Sequence, residues 1–419
     1  MRIPLESPLR KFAVLGGAGL FAAALIALAA AQFAAARFSE KSDLANLERA
    51  VRLQPGNGDF RYRLGLYHSL LQESDAAAES FRAAVWLNPN KAAYWLELAK
   101  TYQTLDDIDS QRNALEHAVR AEPTNPQVAW EAANSFLVQG RMENALDEFR
   151  VVLANDTYRA SAAMQLCWRI RPDVDLFLRR LLPPNAGSQL AFLSLLISKK
   201  ESAAAAKVWA HIVVLKQPVA KRSVFSYVQY LITEQDVDQA RLVWQQAAPL
   251  AELTDYQPTA ANLVVNGDFA LPVLNGGFDW TYFKPLGVIL ALDPTQPHTG
   301  HQSLFIGFDK AMISDAGMRQ IVPVRPNTRY EFSAYFKSED MDGAGGMRFA
   351  LLDAFDGALY FGSEELKGAD FWKEAGGTFT TGPNTKLLIL LIQRVPSGSP
   401  IKGKLWIDGV RLRQSQEGY

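Results

Sequence analysis

Apolar residues recur at helical spacing through the first part of the chain, and proline cuts the pattern at regular intervals. Ala50-Val51-x-Leu53, Ala84-Val85-x-Leu87 and Ala118-Val119-x-Ala121 each run into a proline two residues later. Those prolines, Pro55, Pro89 and Pro123, are spaced 34 residues apart. Proline cannot continue a helix and pushes its predecessor out of helical geometry, so each one closes an element. A large apolar residue precedes each proline by eight: Leu47, Phe81 and Leu115. Small residues fall where two helix axes would cross, at Gly65, Ala99 and Ala133 and at Ala77 and Ala145. Large ones fill the space between crossings: Leu64, Trp95, Leu98, Tyr102, Phe136 and Phe149. The pattern predicts helical hairpins that bury their faces by stacking on one another. Three full repeats start at Gly58, Ala92 and Pro126, behind a leading half-repeat that ends at Pro55.

The N-terminus is patterned differently. Phe12 to Ala36 is 25 residues broken only by the polar Gln32, and about 20 apolar residues suffice to cross a bilayer. Arg2, Arg10 and Lys11 precede the run; Arg37, Glu40 and Lys41 follow it. A signal peptide could be cut at Ala29-Ala30-Ala31 or Ala34-Ala35-Ala36, but its apolar core is usually about 7–15 residues. The greater length favours residues 1–41 as a cytoplasmic stub and uncleaved anchor. In a bacterium this is a single-pass inner-membrane topology, with residues 40–419 on the periplasmic or outer side.

Repeat spacing is clear over 42–157 and fades over 158–250. Helical patterns persist at Ala162–Ile170, Val174–Leu182 and Gln189–Ser198, and Ala205-x3-Trp209 and Ala240-x3-Trp244 revive the motif. Residues 42–250 are expected to form an α-solenoid, and 251–261, with Pro249 and Pro258 near its ends, a linker. From 262 to 415 the period becomes two. Tyr330, Phe332, Ala334 and Phe336 alternate with Arg329, Glu331, Ser333 and Tyr335, and Leu387–Ile392 is an unbroken apolar run. Short strands separated by turn signals predict an antiparallel β-sandwich of jelly-roll type. Leu405 and Ile407 change phase with Val410 and Leu412 across Gly409, the mark of a bulge.

These motifs resemble two families. The repeats, with Trp95-x-x-Leu98-Ala99-x-x-Tyr102, Ala77-x3-Phe81 and the closing prolines, resemble tetratricopeptide (TPR) repeats. That resemblance implies a concave protein-binding face built from each first helix, here Tyr62, Leu66, Leu96, Lys100, Trp130 and Asn134. Peptide-carboxylate clamps of that family carry a Lys/Arg/Asn cluster, and only Lys100 and Asn134 would serve. The C-terminal part resembles galactose-binding-like jelly rolls appended to glycanases as carbohydrate-binding modules. The resemblance lies in Asn262-Leu-Val-Val-Asn-Gly-Asp-Phe269, Gly277-Phe278-Asp279-Trp280, the His298–Leu304 loop, Gln320–Tyr330, Trp372 before Phe379-Thr380, and Leu405-Trp406-Ile407-Asp408-Gly409-Val410. It implies stacking of sugars on exposed rings, the candidates being Tyr335, Tyr360, Trp372 and Tyr282. Trp280 and Trp406 are expected to be buried. It also implies a structural calcium at Asp268 and Asp408, although Gly409 stands where the family pairs a second acid.

Composition narrows the remaining chemistry. In 419 residues, Lys+Arg 43 balances Asp+Glu 44, so the chain has no excess charge with which to bind nucleic acid. The lone cysteine, Cys167, rules out an internal disulfide framework. His298-x-x-His301 reads as a turn. Asp353, Asp356, Glu364 and Glu365 cluster without the spacing of a catalytic pair. The expectation is a non-catalytic, membrane-anchored envelope scaffold, with a protein partner on the solenoid and a glycan on the jelly roll, in polysaccharide assembly or export. A glycan hydrolase or lyase is the alternative.

Overall fold

The computed structural model describes residues 8–41 and 43–415. Arg2, part of the expected basic flank, lies outside them. The chain divides into two compact units, Met1–Pro183 and Pro184–Tyr419.

In the first unit, α1 (Pro8–Ser39) is followed by α2 (Leu44–Leu53), α3 (Gly58–Leu70), α4 (Ser74–Leu87), α5 (Ala92–Thr104), α6 (Ile108–Ala121), α7 (Pro126–Val138), α8 (Met142–Asn155) and α9 (Ala160–Ile170). A short helix, α10 (Val174–Leu176), then passes into a π-helical turn over Phe177–Leu181. Helices α2, α4 and α6 each end two residues before their proline, as the spacing demands. Asn57, Asp107 and Asn125 cap the helices that follow, accepting bonds from amides of the first turn. The crossing residues Gly65, Ala77, Ala99, Ala133 and Ala145 are buried. A Cβ on Gly65 would come 2.6 Å from the Phe81 ring, so α3 and α4 approach as closely as a glycine permits.

Over Lys11–Ser39 α1 is long and apolar enough to cross a membrane. Its end belongs to the repeats. Ala35 is fully buried and packs with Leu47, Ala50, Val51, Phe60 and Leu64, with Phe38 beside them. The Arg63 guanidinium donates to the Ser39 carbonyl and hydroxyl at 3.2 and 3.3 Å. The leading half-repeat is therefore completed by the last turns of the apolar helix.

The second unit begins with two helical hairpins, α11 (Ala186–Ser198) with α12 (Ser202–Leu215) and α13 (Lys221–Thr233) with α14 (Val237–Ala247). Ten strands follow among the described residues: β1 (Thr281–Tyr282), β2 (Val288–Asp293), β3 (Ser303–Met312), β4 (Asp315–Pro323), β5 (Arg329–Asp342), β6 (Gly346–Asp353), β7 (Leu359–Gly362), β8 (Lys373–Thr380), β9 (Leu387–Val395) and β10 (Pro400–Gln414). They form two antiparallel sheets, β1-β4-β9-β6-β7 and β2-β3-β10-β5-β8. Tyr330, Phe332, Ala334 and Phe336 of β5 face Leu388, Leu390 and Ile392 of β9 in the core, with Leu405 and Ile407 of β10. The β10–β5 register slips between Asp408 and Arg411, where Gly409 has φ +57°. This is the bulge expected from the phase change.

The hairpin α13–α14 is fixed to the sandwich by the Trp244 indole and by glycine. Trp244 donates to the Tyr256 carbonyl at 2.9 Å and meets Phe278 edge-on at 5.8 Å. Gly277, at φ +64°, lies so close to Trp244 that a Cβ there would be 2.0 Å from the indole. Lys386 on the sandwich pairs with Asp238 of α14 at 2.7 Å.

Candidate functional site

The first helices of the repeats bring the expected inner-face residues onto α3, α5 and α7. Tyr62 stacks on Tyr94 at 5.0 Å, Leu96 is buried, and Trp130 meets Phe149 edge-on at 5.9 Å. These three serve packing between helices. Asn134 donates to the Trp130 carbonyl at 2.7 Å. Leu66 is exposed. Lys100 is exposed but held by Glu97 at 2.8 Å and Glu131 at 2.7 Å. Burial pulls the Lys100 pKa down, yet the bonds to Glu131 and Glu97 outweigh it and raise the value. A lysine held by two carboxylates is not poised to clamp a third.

On the sandwich, Tyr335 and Trp372 come together through a residue assigned only to a turn. The His298 ring lies 3.9 Å from Tyr335 and 5.3 Å from Trp372. The His298 loop is pinned by Asp408, whose Oδ2 accepts from the amides of His298 and Thr299 at 2.8 and 2.7 Å. Its Oδ1 accepts from the Thr299 hydroxyl at 2.9 Å. His298-x-x-His301 is thus a turn held by a buried carboxylate, and Tyr335 faces outward beneath His298. Trp406 is buried, but on the outer face rather than in the core: its neighbours are Phe305 and Lys337, and its Nε1 donates to Asp293 at 2.8 Å. Trp280 is in the core. Tyr360 is a strut, its hydroxyl bonded to Thr385 at 2.7 Å and to the Gly382 amide at 3.0 Å.

The residues at the implied calcium site do not fit the ion. Asp408 spends both oxygens on hydrogen bonds, including one from its own neighbour, the Gly409 amide. Asp268 is exposed and accepts from the Ala270 amide. Among the described residues no three His, Cys, Asp or Glu gather as a metal site. A calcium wants six to eight oxygens.

Tyr282 opens onto a groove of about 580 Å³ that the sequence did not reveal. It is lined by Phe225, Ser226 and Gln229 of α13, by the loop Asn275–Gly277, by Thr281, Tyr282 and Phe283, and by Arg319, Ile321 and Ile389 on the outer face of the first sheet. Tyr282 is 42% and Phe283 43% exposed. Asn275 accepts from the Tyr282 amide at 2.9 Å, and a Cβ on Gly276 would lie 2.4 Å from Phe225. Loop and helix are therefore in direct contact. Only Tyr282 was legible as a ring candidate. Arg319 and Phe225 join it through strand pairing and helix docking, for which the sequence carries no local signal.

The chain thus joins repeated helical hairpins to a two-sheet antiparallel sandwich, and each part has similar proteins. Residues 92–125, spanning α5 and α6, match the family model of the tetratricopeptide repeat. Over 104 residues the chain is 32% identical to the BBSome complex member BBS4 of Mus musculus and 31% identical to that of Bos taurus. The match covers 25% of this chain, which spans about one fifth of the length of these relatives (20%). Three solved structures are also similar. One described as "CBM4 structure and function" is 14% identical with TM-score 0.27, covering 36% of this chain and 99% of its own. "Family 16 Carbohydrate Binding Module-2" is 19% identical with TM-score 0.27, covering 36% and 99%. "Crystal structure of MamA" is 13% identical with TM-score 0.26, covering 41% and 86%.

Proposed function

We propose that this protein is a non-catalytic scaffold of the bacterial cell envelope, anchored in the inner membrane by α1 with residues 40–419 outside. It holds a protein partner on its repeats and a glycan on its sandwich, in polysaccharide assembly or export. The observation that carries the glycan half is the groove at Tyr282. It has the volume of a ligand pocket, and it presents the rings of Phe225, Tyr282 and Phe283. Such rings cover the apolar face of a sugar. Among the described residues no carboxylate lines it, and glycoside hydrolysis uses a pair of them, which favours holding over cutting. Affinity electrophoresis of the protein through gels containing neutral and acidic polysaccharides tests this. Retardation without release of reducing ends is expected, and Tyr282→Ala should abolish it. Migration unchanged in every gel, or depolymerisation of the glycan, would sink the proposal.

A further inference from the structure

The charge pattern of the groove narrows its ligand. Arg319 is exposed on β4, and its guanidinium lies 5.2 Å from the centre of the Phe283 ring. It has no ion-pair partner among the described residues. The other polar side chains of the lining, Ser226, Gln229, Asn275 and Thr281, are all neutral. Among the described residues Arg319 is thus a cation without an ion pair beside the Phe283 ring, and the groove lining holds no carboxylate.

We propose that the groove binds a sugar residue bearing a carboxylate, as in a uronic-acid unit of an acidic polysaccharide. This rests on the glycan reading above. Arg319 takes the carboxylate and Tyr282 takes the ring. A guanidinium matches a carboxylate with two parallel hydrogen bonds, and its position over Phe283 restrains it before the ligand arrives. The carboxylate of a pyranose uronic acid projects from the ring edge, so one residue can stack and pair at once. The far wall is α13, set by the contact of Phe225 with Gly276. The helical hairpin therefore supplies part of the site, and the sandwich strands alone would leave the groove open on that side.

The test is isothermal titration of the detergent-solubilised full-length protein with oligogalacturonate and with the same oligosaccharide after carboxyl reduction. The acidic form should bind about tenfold more tightly, the value of one charge-assisted pair, and the difference should shrink as salt rises. Arg319→Gln should abolish the preference, so that the variant binds the acidic and the neutral form equally. Phe225→Ala should weaken both, with α-helical and β signals in circular dichroism unchanged. Equal affinity of the parent for the two forms, or an acid preference that survives Arg319→Gln, overturns the acidic assignment while the glycan reading stands. Binding of neither form overturns both. Competition by a poly-glutamate peptide as strong as that by the oligosaccharide also overturns it.

Discussion

Asp279 offers a direct test of how the groove loop is held. It is fully buried, and its Oδ2 accepts from the Leu274 amide at 2.7 Å, closing the loop that carries Asn275, Gly276 and Gly277. Burial lifts its carboxyl from an ordinary value of 3.8 to about 6, against the lowering effect of hydrogen bonds from Leu274, Trp280 and Asn266. Below pH 3.8 the carboxyl is protonated in both folded and unfolded chains, and the stabilising effect of the retained proton is fully present. Between 3.8 and about 6 the unfolded chain loses the proton first, so stability falls as pH rises; above that window no more is lost. Roughly two pKa units at 1.36 kcal/mol each give a loss of about 3 kcal/mol. Asp279→Asn keeps the shape and an acceptor for Leu274 but cannot ionise. Urea unfolding of parent and variant, followed by tryptophan fluorescence between pH 3.5 and 7.5, isolates the effect because other groups cancel in the difference. A constant offset is allowed for the new amide. The variant should gain about 3 kcal/mol relative to the parent across the window. A difference that stays flat with pH, or one that grows toward acid, would refute the reasoning.

Two further outcomes follow from the repeats. Ala99, buried at a helix crossing, should not tolerate Leu: Ala99→Leu should cost about 1–3 kcal/mol by overpacking, whereas Lys100→Ala, one residue on and exposed, should change stability by less than about 1 kcal/mol; equal melting temperatures would show the repeat register to be wrong. Because Ala35 and Ser39 are part of the first repeat, N-terminal sequencing of protein from carbonate-washed membranes should find the apolar segment intact; a mature N-terminus at Gln32 or Arg37 would contradict the anchor.

Much of the helical part was legible because proline acts locally. Pro55, Pro89 and Pro123 end their helices wherever the chain goes next, so repeat boundaries could be read before any packing was known. The same holds for β5, where parity alone puts Tyr330 inside and Tyr335 outside. Parity says which face a ring takes but not what covers it. His298 reaches Tyr335 from a loop held by Asp408, and Trp406 is buried on the outer face under Phe305 and Lys337. The completed first repeat was hidden for another reason. The residues of α1 that pack against α2 are apolar, like the rest of the run, so nothing in the sequence set them apart from it.

The union of α1 with the first repeat has a mechanical consequence. A domain hung from a bilayer by a loose tether can swing through a wide arc and drift several nanometres from its mooring. Here the chain passes from the apolar helix into the α2–α3 pair with Ala35 and Phe38 packed and Ser39 held by Arg63, which leaves no slack between them. With α1 in a bilayer, the tilt of that helix sets the tilt of the first repeats, and a pull on the repeats is felt at the membrane surface. On the proposed anchoring, the first repeat would be a bracket fixed to the membrane helix, offering a partner only the approach angles that the bracket leaves open.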